Sequence, residues 1–170
     1  MLAVRTRYVA LGLAIAVVVA AAGGWAVVHR RNAGGSSVER AVKSVHDARP
    51  LLLPTKIPGS WRAETKASRS FYDVRWTAPD ADRWVELQIA IPNPPPPGPA
   101  TVQRTMKFRA DDKAVFQGDD RLRLLAWWEP GQWTPHITGA RTDAVPYYLS
   151  SHGVDEAELL AIAGSLRTLS

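Results

Sequence analysis

The chain contains no cysteine. That absence excludes disulfides, thiolate metal centres, a cysteine nucleophile and a lipid-modified N-terminal cysteine. Acidic residues are missing from residues 1–31, which carry Arg5, Arg7, Arg30 and Arg31. The formal net charge of +5 therefore arises mostly at the N-terminus. Residues 32–170 hold 17 of the 21 Lys and Arg against all 16 Asp and Glu, and they contain no basic run. A near-neutral remainder has no footprint for a phosphate backbone, so nucleic acid is excluded as a partner class. Catalytic patterns are missing as well. There is no His-Glu-x-x-His, no Gly-x-Ser-x-Gly and no phosphate-binding glycine loop. His29, His46, His136 and His152 show no metal-ligand spacing. Asp111, Asp112, Asp119 and Asp120 form two acidic pairs in turn-like sequence without calcium-loop spacing, and they read as solvated turns. The expectation is a protein with no cofactor, no metal and no enzymatic activity, the alternative being an uncharacterised hydrolase.

What is present begins with a long apolar run. Residues 8–28 are 21 residues without a charge. As a helix rising about 1.5 Å per residue they would span roughly 30 Å, the thickness of a hydrocarbon core. Tyr8 and Trp25 stand near the two ends, where amphipathic rings favour the headgroup zone. The expected organisation is a cytoplasmic tail (1–7), a transmembrane anchor (8–28) held by membrane lipid, a flexible linker (29–37), a short helix (38–49) and an extracytoplasmic domain (50–170). Ala20-Ala21-Ala22 before Gly23 offers the alternative of a signal peptide cleaved near Ala22 and a secreted product. The apolar run continues through Trp25-Ala26-Val27-Val28, which favours the uncleaved anchor. Positive charges on the two flanks nearly balance, and the short charged tail assigns the N-terminus to the cytoplasm. Gly12, Ala16, Ala20 and Gly24 share one helix face, a small-residue ladder that would let two anchors pack as a homo-oligomer. Half of residues 9–28 are Ala or Gly, so composition alone also produces such a ladder.

Beyond the anchor, Ser36 and Glu39 have capping-box spacing, and Val38, Ala41, Val42 and Val45 make a helical stripe that ends before Pro50. Tyr72, Val74 and Trp76, then Val85, Leu87, Ile89 and Ile91, alternate with polar residues around a polar loop, the pattern of a β-hairpin. Residues 92–99 are mostly proline and read as a stiff, exposed polyproline connector. Residues 101–118 give no clear period. Residues 121–128 alternate as a strand, and Glu129-Pro130-Gly131-Gln132 predicts a tight turn before a returning strand at 133–138. Residues 147–150 form a last short strand. Asp155 and Glu158 make a capping box, followed by the stripe Leu159, Ile162, Ala163 and Leu166 of a terminal helix. The fold class expected is α+β: a single N-terminal transmembrane helix, then a mostly antiparallel sheet with the C-terminal helix packed on one face.

Leu53-Pro54, then Gly59-Ser60-Trp61-Arg62, then the closing run 155–167 with its Ala-Gly-Ser-Leu ending, together with the apolar N-terminus, resemble a family of small membrane-anchored actinobacterial proteins with a domain of unknown function. The resemblance covers most of residues 50–168. Ser60 stands between the glycine and the tryptophan that usually adjoin in that family. The resemblance implies an anchored α+β domain and carries no chemistry.

The aromatic residues are the most informative side chains. Neighbouring strand residues face opposite sides, so Trp127 and Trp128 cannot share one core, nor can Tyr147 and Tyr148. With Trp133 nearby, an uncovered sheet face would present an aromatic patch for an envelope protein partner or, alternatively, for an apolar or glycan ligand. The competing expectation covers one face with the terminal helix and the other with the 38–49 helix. The sequence thus predicts a non-catalytic binding or interaction module of the cell envelope.

Overall fold

The computed structural model describes residues 30–32, 35–89, 102–107, 113–119, 121–135 and 139–170. The anchor expected at 8–28, the small-residue ladder expected within it and the polyproline connector expected at 92–99 fall outside the described residues. Among the described residues, no helix is long and apolar enough to cross a membrane.

The strands are β1 (Arg30–Asn32), β2 (Ala48–Arg49), β3 (Leu51–Pro54), β4 (Arg62–Ala67), β5 (Tyr72–Thr77), β6 (Trp84–Ile89), β7 (Val102–Lys107), β8 (Lys113–Gly118), β9 (Leu122–Trp133), β10 (Thr142–His152) and β11 (Leu166–Leu169). The helices are α1 (Gly35–Lys43) and α2 (Glu156–Ala163). Two antiparallel meanders, β4–β5–β6 and β7–β8–β9–β10, join where β10 pairs with β6. The resulting order is β1-β4-β5-β6-β10-β9-β8-β7, with β2 added at the end of β9. β3 and β11 form a separate two-stranded sheet. The expected mostly antiparallel sheet with a C-terminal helix is present.

The β5–β6 hairpin follows the sequence alternation closely. Val85, Leu87 and Ile89 are buried and their neighbours half-exposed. Trp76 pairs with Val85 and Val74 with Leu87. Asp155 caps α2 as expected, its Oδ1 accepting from the Glu158 N–H at 2.7 Å.

Five boundaries differ from the sequence reading: the short strand expected at 147–150 runs over Thr142–His152 as β10, held between β6 and β9, and four others differ for equally tertiary reasons. Residues 30–32, expected in a flexible linker, form β1 on the open edge of β4, where unpaired backbone groups of an edge strand attract a partner. The 38–49 helix begins at Gly35 and ends at Lys43, and residues 48–49 turn into β2 on β9. The terminal helix stops at Ala163. Leu166 leaves it and becomes a partly buried strand residue opposite Pro54, with Ser165 Oγ accepting from the backbone N–H groups of Thr55 and Lys56. The Pro130-Gly131 turn does not exist. β9 runs through it as one twelve-residue strand, and the register against β10 slips between Thr142 and Ala144 to absorb the irregularity.

Gly131 serves close approach instead. A Cβ there would lie 2.0 Å from the Arg49 carbonyl oxygen and 2.7 Å from Pro50 Cδ. Gly131→Ala should therefore push β2 off β9, at a cost of about 1–3 kcal/mol. The Thr134 N–H, which donates to the Asp47 oxygen at 2.8 Å, should lose its protection from hydrogen exchange. An unchanged Thr134 exchange rate and unfolding midpoint would contradict this reading.

One core unites the layers. Val38 and Val42 of α1, Leu159 and Ile162 of α2, Leu51–Leu53 of β3 and the sheet residues Val74, Leu87, Leu125 and Leu149 belong to a single buried cluster. Both helices and the small sheet thus cover the same face of the large sheet. The expectation of one helix on each face does not hold.

Candidate functional site: the outer sheet face

The sheet face turned away from α1 and α2 has two halves of different chemistry. On β8, β9 and β10 it carries Val115, Leu122, Leu124, Ala126, Trp128, Pro146 and Tyr148, placed together by the register Pro146–Trp128, Tyr148–Ala126 and Val115–Ala126. On β4, β5 and β6 it carries Lys66, Asp73, Arg75, Trp84, Glu86 and Gln88. Period-two alternation makes this division. The same strands send Leu125, Trp127, Tyr147 and Leu149 inward.

The five aromatics proposed from sequence divide accordingly. Trp127 and Tyr147 are fully buried in the core and Trp133 nearly so, and none of the three offers a surface. Trp127 stacks on Tyr147 with ring centroids 5.5 Å apart, and its indole N–H donates to Glu129 Oε1 at 2.8 Å. The Trp133 indole N–H donates to the Ser70 carbonyl oxygen at 2.8 Å. The Tyr147 hydroxyl donates to the Pro50 carbonyl oxygen, and the Tyr72 hydroxyl donates to that of Leu52 at 2.6 Å. These bonds fasten the 50–52 segment over the sheet. Burial raises the Tyr72 and Tyr147 hydroxyl pKa values above that of a free phenol, so both remain neutral donors. Trp128 and Tyr148 lie on the outer face. Trp128 is 42% exposed, while Tyr148 is 6% exposed and its pKa is pushed up to about 12 by burial. Leu122, at 49% exposure, is the other large apolar residue open to solvent among the described residues.

Sequence reasoning did not single out the polar half. Arg75 Nε donates to Glu86 Oε2 at 2.6 Å, and the Arg75 guanidinium carbon lies 4.4 Å from the centre of the Trp84 ring. His152 also stacks on Trp84, with ring centroids 6.2 Å apart and an interplanar angle of 18°. Asp73 is 8% exposed. Its Oδ2 is 3.7 Å from Lys66 Nζ, and its Oδ1 is buried without a hydrogen-bond partner. Burial, then the neighbouring Glu86 carboxylate, raises the Asp73 pKa to about 7, against the weaker pull of Lys66 and Arg75. The only sequence signal for this cluster is that Asp73, Arg75, Glu86 and Gln88 occupy the polar phase of two alternating strands.

The remaining chemical features are modest. Asp119 accepts from the N–H groups of Leu122 and Arg121, both at 2.7 Å, and these bonds lower its pKa. It is the solvated turn expected from the sequence. Asp111, Asp112, Asp120 and His136 lie outside the described residues. A polar cleft of about 160 Å³ opens among His46, Arg49, Gln132, Thr134 and Arg141. The Arg49 guanidinium is engaged there with the Val45 and Ala48 carbonyl oxygens at 2.6 and 2.7 Å. The cleft is smaller than the roughly 300–1,000 Å³ of small-molecule sites. Among the described residues, no group of three His, Asp or Glu could hold a metal ion. No protein-family model, curated protein or solved structure matches the chain.

Proposed function

We propose that the protein is a membrane-anchored interaction module of the cell envelope, held by residues 8–28 with its N-terminus in the cytoplasm, and that it contacts an envelope protein through the outer sheet face without catalysing a reaction. The observation that carries this reading is one-sided covering. Both described helices and the β3/β11 sheet lie on one face, and the opposite face exposes Trp128 and Leu122 beside a charged half. Exposed aromatics next to polar groups are the composition of protein contact surfaces rather than of a solvent-facing sheet. The likeness to small anchored actinobacterial proteins of unknown function agrees with this assignment.

A photo-crosslinking residue placed at Trp128 in the membrane-bound full chain should give a defined protein adduct. The same residue at Ala161, exposed on α2, should give none. Equal yields at the two positions, or none at Trp128, would refute the contact surface. A reporter enzyme that functions only after export, fused behind Ser170, should be active. An inactive fusion would refute the orientation.

A further inference from the structure

The polar cleft beside the end of β9 is built from three segments that the fold ties together. The Asp47 oxygen accepts from the Thr134 N–H at 2.8 Å, and the Arg69 oxygen accepts from the His46 and Asp47 N–H groups at 2.8 and 2.7 Å. The lining is cationic. Arg49, Arg141 and His46 contribute to it with Asp47 as the single acid, and Gln132 and Thr134 add an amide and a hydroxyl. The two bonds that hold the Arg49 guanidinium use Nη1 alone, donating to the Val45 and Ala48 carbonyl oxygens. They leave Nε and Nη2 for a ligand, on a guanidinium whose position is already fixed.

Size and chemistry point to one kind of group. The cleft of about 160 Å³ takes roughly five heavy atoms, at the ~30 Å³ that one water occupies in the liquid. A phosphate group has that size. A guanidinium fork matches phosphate oxygens in geometry as well as in charge, and such charge-assisted bonds are stronger than neutral ones. Two guanidiniums and an imidazole around one small space therefore favour a phosphate over a neutral ligand, and Asp47 works against it.

The direction of β1 shows which end of the domain carries the cleft. Arg30 pairs with Thr65 and Asn32 with Ala63, antiparallel, so the chain enters the sheet at the end of β4 that leads into the turn at 68–71. Arg69 of that turn follows Thr65 by four residues, at most about 14 Å of extended chain. Its carbonyl oxygen is the one that holds His46 and Asp47. On the reading that residues 8–28 are a membrane anchor, one residue separates the anchor from β1, and the cleft lies at the end of the domain nearest the lipid. We propose that the cleft binds one phosphate group, that of an anionic lipid headgroup, and so fixes the domain on the membrane surface. The lipid source rests on the anchor reading, and the phosphate site rests on the cleft alone.

The test follows the Thr134 amide signal of the full chain by nuclear magnetic resonance, first in maltoside micelles, which carry no phosphate, and then in phospholipid nanodiscs. In micelles, added inorganic phosphate should shift the signal saturably. Arg141→Gln should weaken that binding at least about tenfold, and Asp47→Asn should tighten it. Arg62→Gln, exposed at the opposite end of β4, should leave it unchanged. In nanodiscs that contain phosphatidylglycerol, the wild-type signal should stand at its phosphate-bound position with no free phosphate present. No saturable shift with phosphate, or equal affinity in the wild type and Arg141→Gln, overturns the site. A shift with phosphate and none in nanodiscs overturns the lipid source and leaves a site for soluble phosphate. A chain that does not enter nanodiscs refutes the anchor and with it the lipid source, while the titration in micelles still decides the cleft.

Discussion

Trp127→Ala should lower the free energy of unfolding by about 3–5 kcal/mol, whereas Trp128→Ala, one residue away, should change it by no more than about 1 kcal/mol. The two side chains point to opposite faces of β9. Trp127 fills the space between Tyr147 and the covering segments, and its truncation leaves a cavity that the sheet cannot close. It also removes the indole N–H that donates to Glu129 Oε1, and Glu129 is itself buried. Trp127→Phe separates the two contributions. It keeps most of the ring packing and removes the donor, which should cost about 1–3 kcal/mol for the weakened satisfaction of a buried carboxylate. Denaturant unfolding followed by near-ultraviolet circular dichroism measures all three variants. Equal losses for Trp127→Ala and Trp128→Ala would show that the assignment of faces is wrong.

Between pH 5 and pH 8 the protein should lose about 2–3 kcal/mol of stability through Asp73 alone, and Asp73→Asn should abolish that loss. In the unfolded chain this carboxyl titrates near its ordinary value of 3.8, and in the folded protein near 7. The folded state therefore binds the proton more tightly. Its contribution is fully present below pH 3.8 and disappears as pH rises through 7, when a buried carboxylate faces Glu86. Protonated, Asp73 can donate to Glu86 and satisfy the pair. Ionised, its Oδ1 has no donor. Lys66 Nζ at 3.7 Å and Arg75, which is engaged with Glu86, are too weakly coupled to reverse the balance. The amide side chain of the Asp73→Asn variant is neutral at every pH. The unfolding midpoint of that variant in urea should match the wild type below pH 3.8, exceed it already at pH 5 and exceed it by more at pH 8. A wild-type midpoint that stays level or rises across this interval, after correction by the amide variant, would exclude the raised pKa. Because Asp73 sits in the charged half of the outer face, the same titration would change the charge presented to the proposed partner.

Elements with a local signal were legible in the chain. The β5–β6 hairpin was legible because its two strands alternate cleanly and a polar loop joins them. The capped start of α2 was legible because Asp155 and Glu158 have fixed spacing. The splitting of Trp127 from Trp128 and of Tyr147 from Tyr148 was legible because strand geometry forbids neighbours from sharing a face. Which member of each pair turns inward was not legible, since that depends on what covers the sheet. Pro130-Gly131 has turn composition, and only the approach of Arg49 and Pro50, from far earlier in the chain, shows why the glycine is needed within a continuous strand. Leu166 fits the helical stripe of α2 by spacing, yet pairing with β3, distant in sequence, draws it into a strand. Asp73 looks like any polar strand residue until the fold sets it opposite Lys66 and Gln88 and beside Glu86. Short-range spacing and backbone stereochemistry act within a few residues and are written in the chain. Facing, register and buried charge depend on partners distant in sequence, and these exist only once the sheet is assembled.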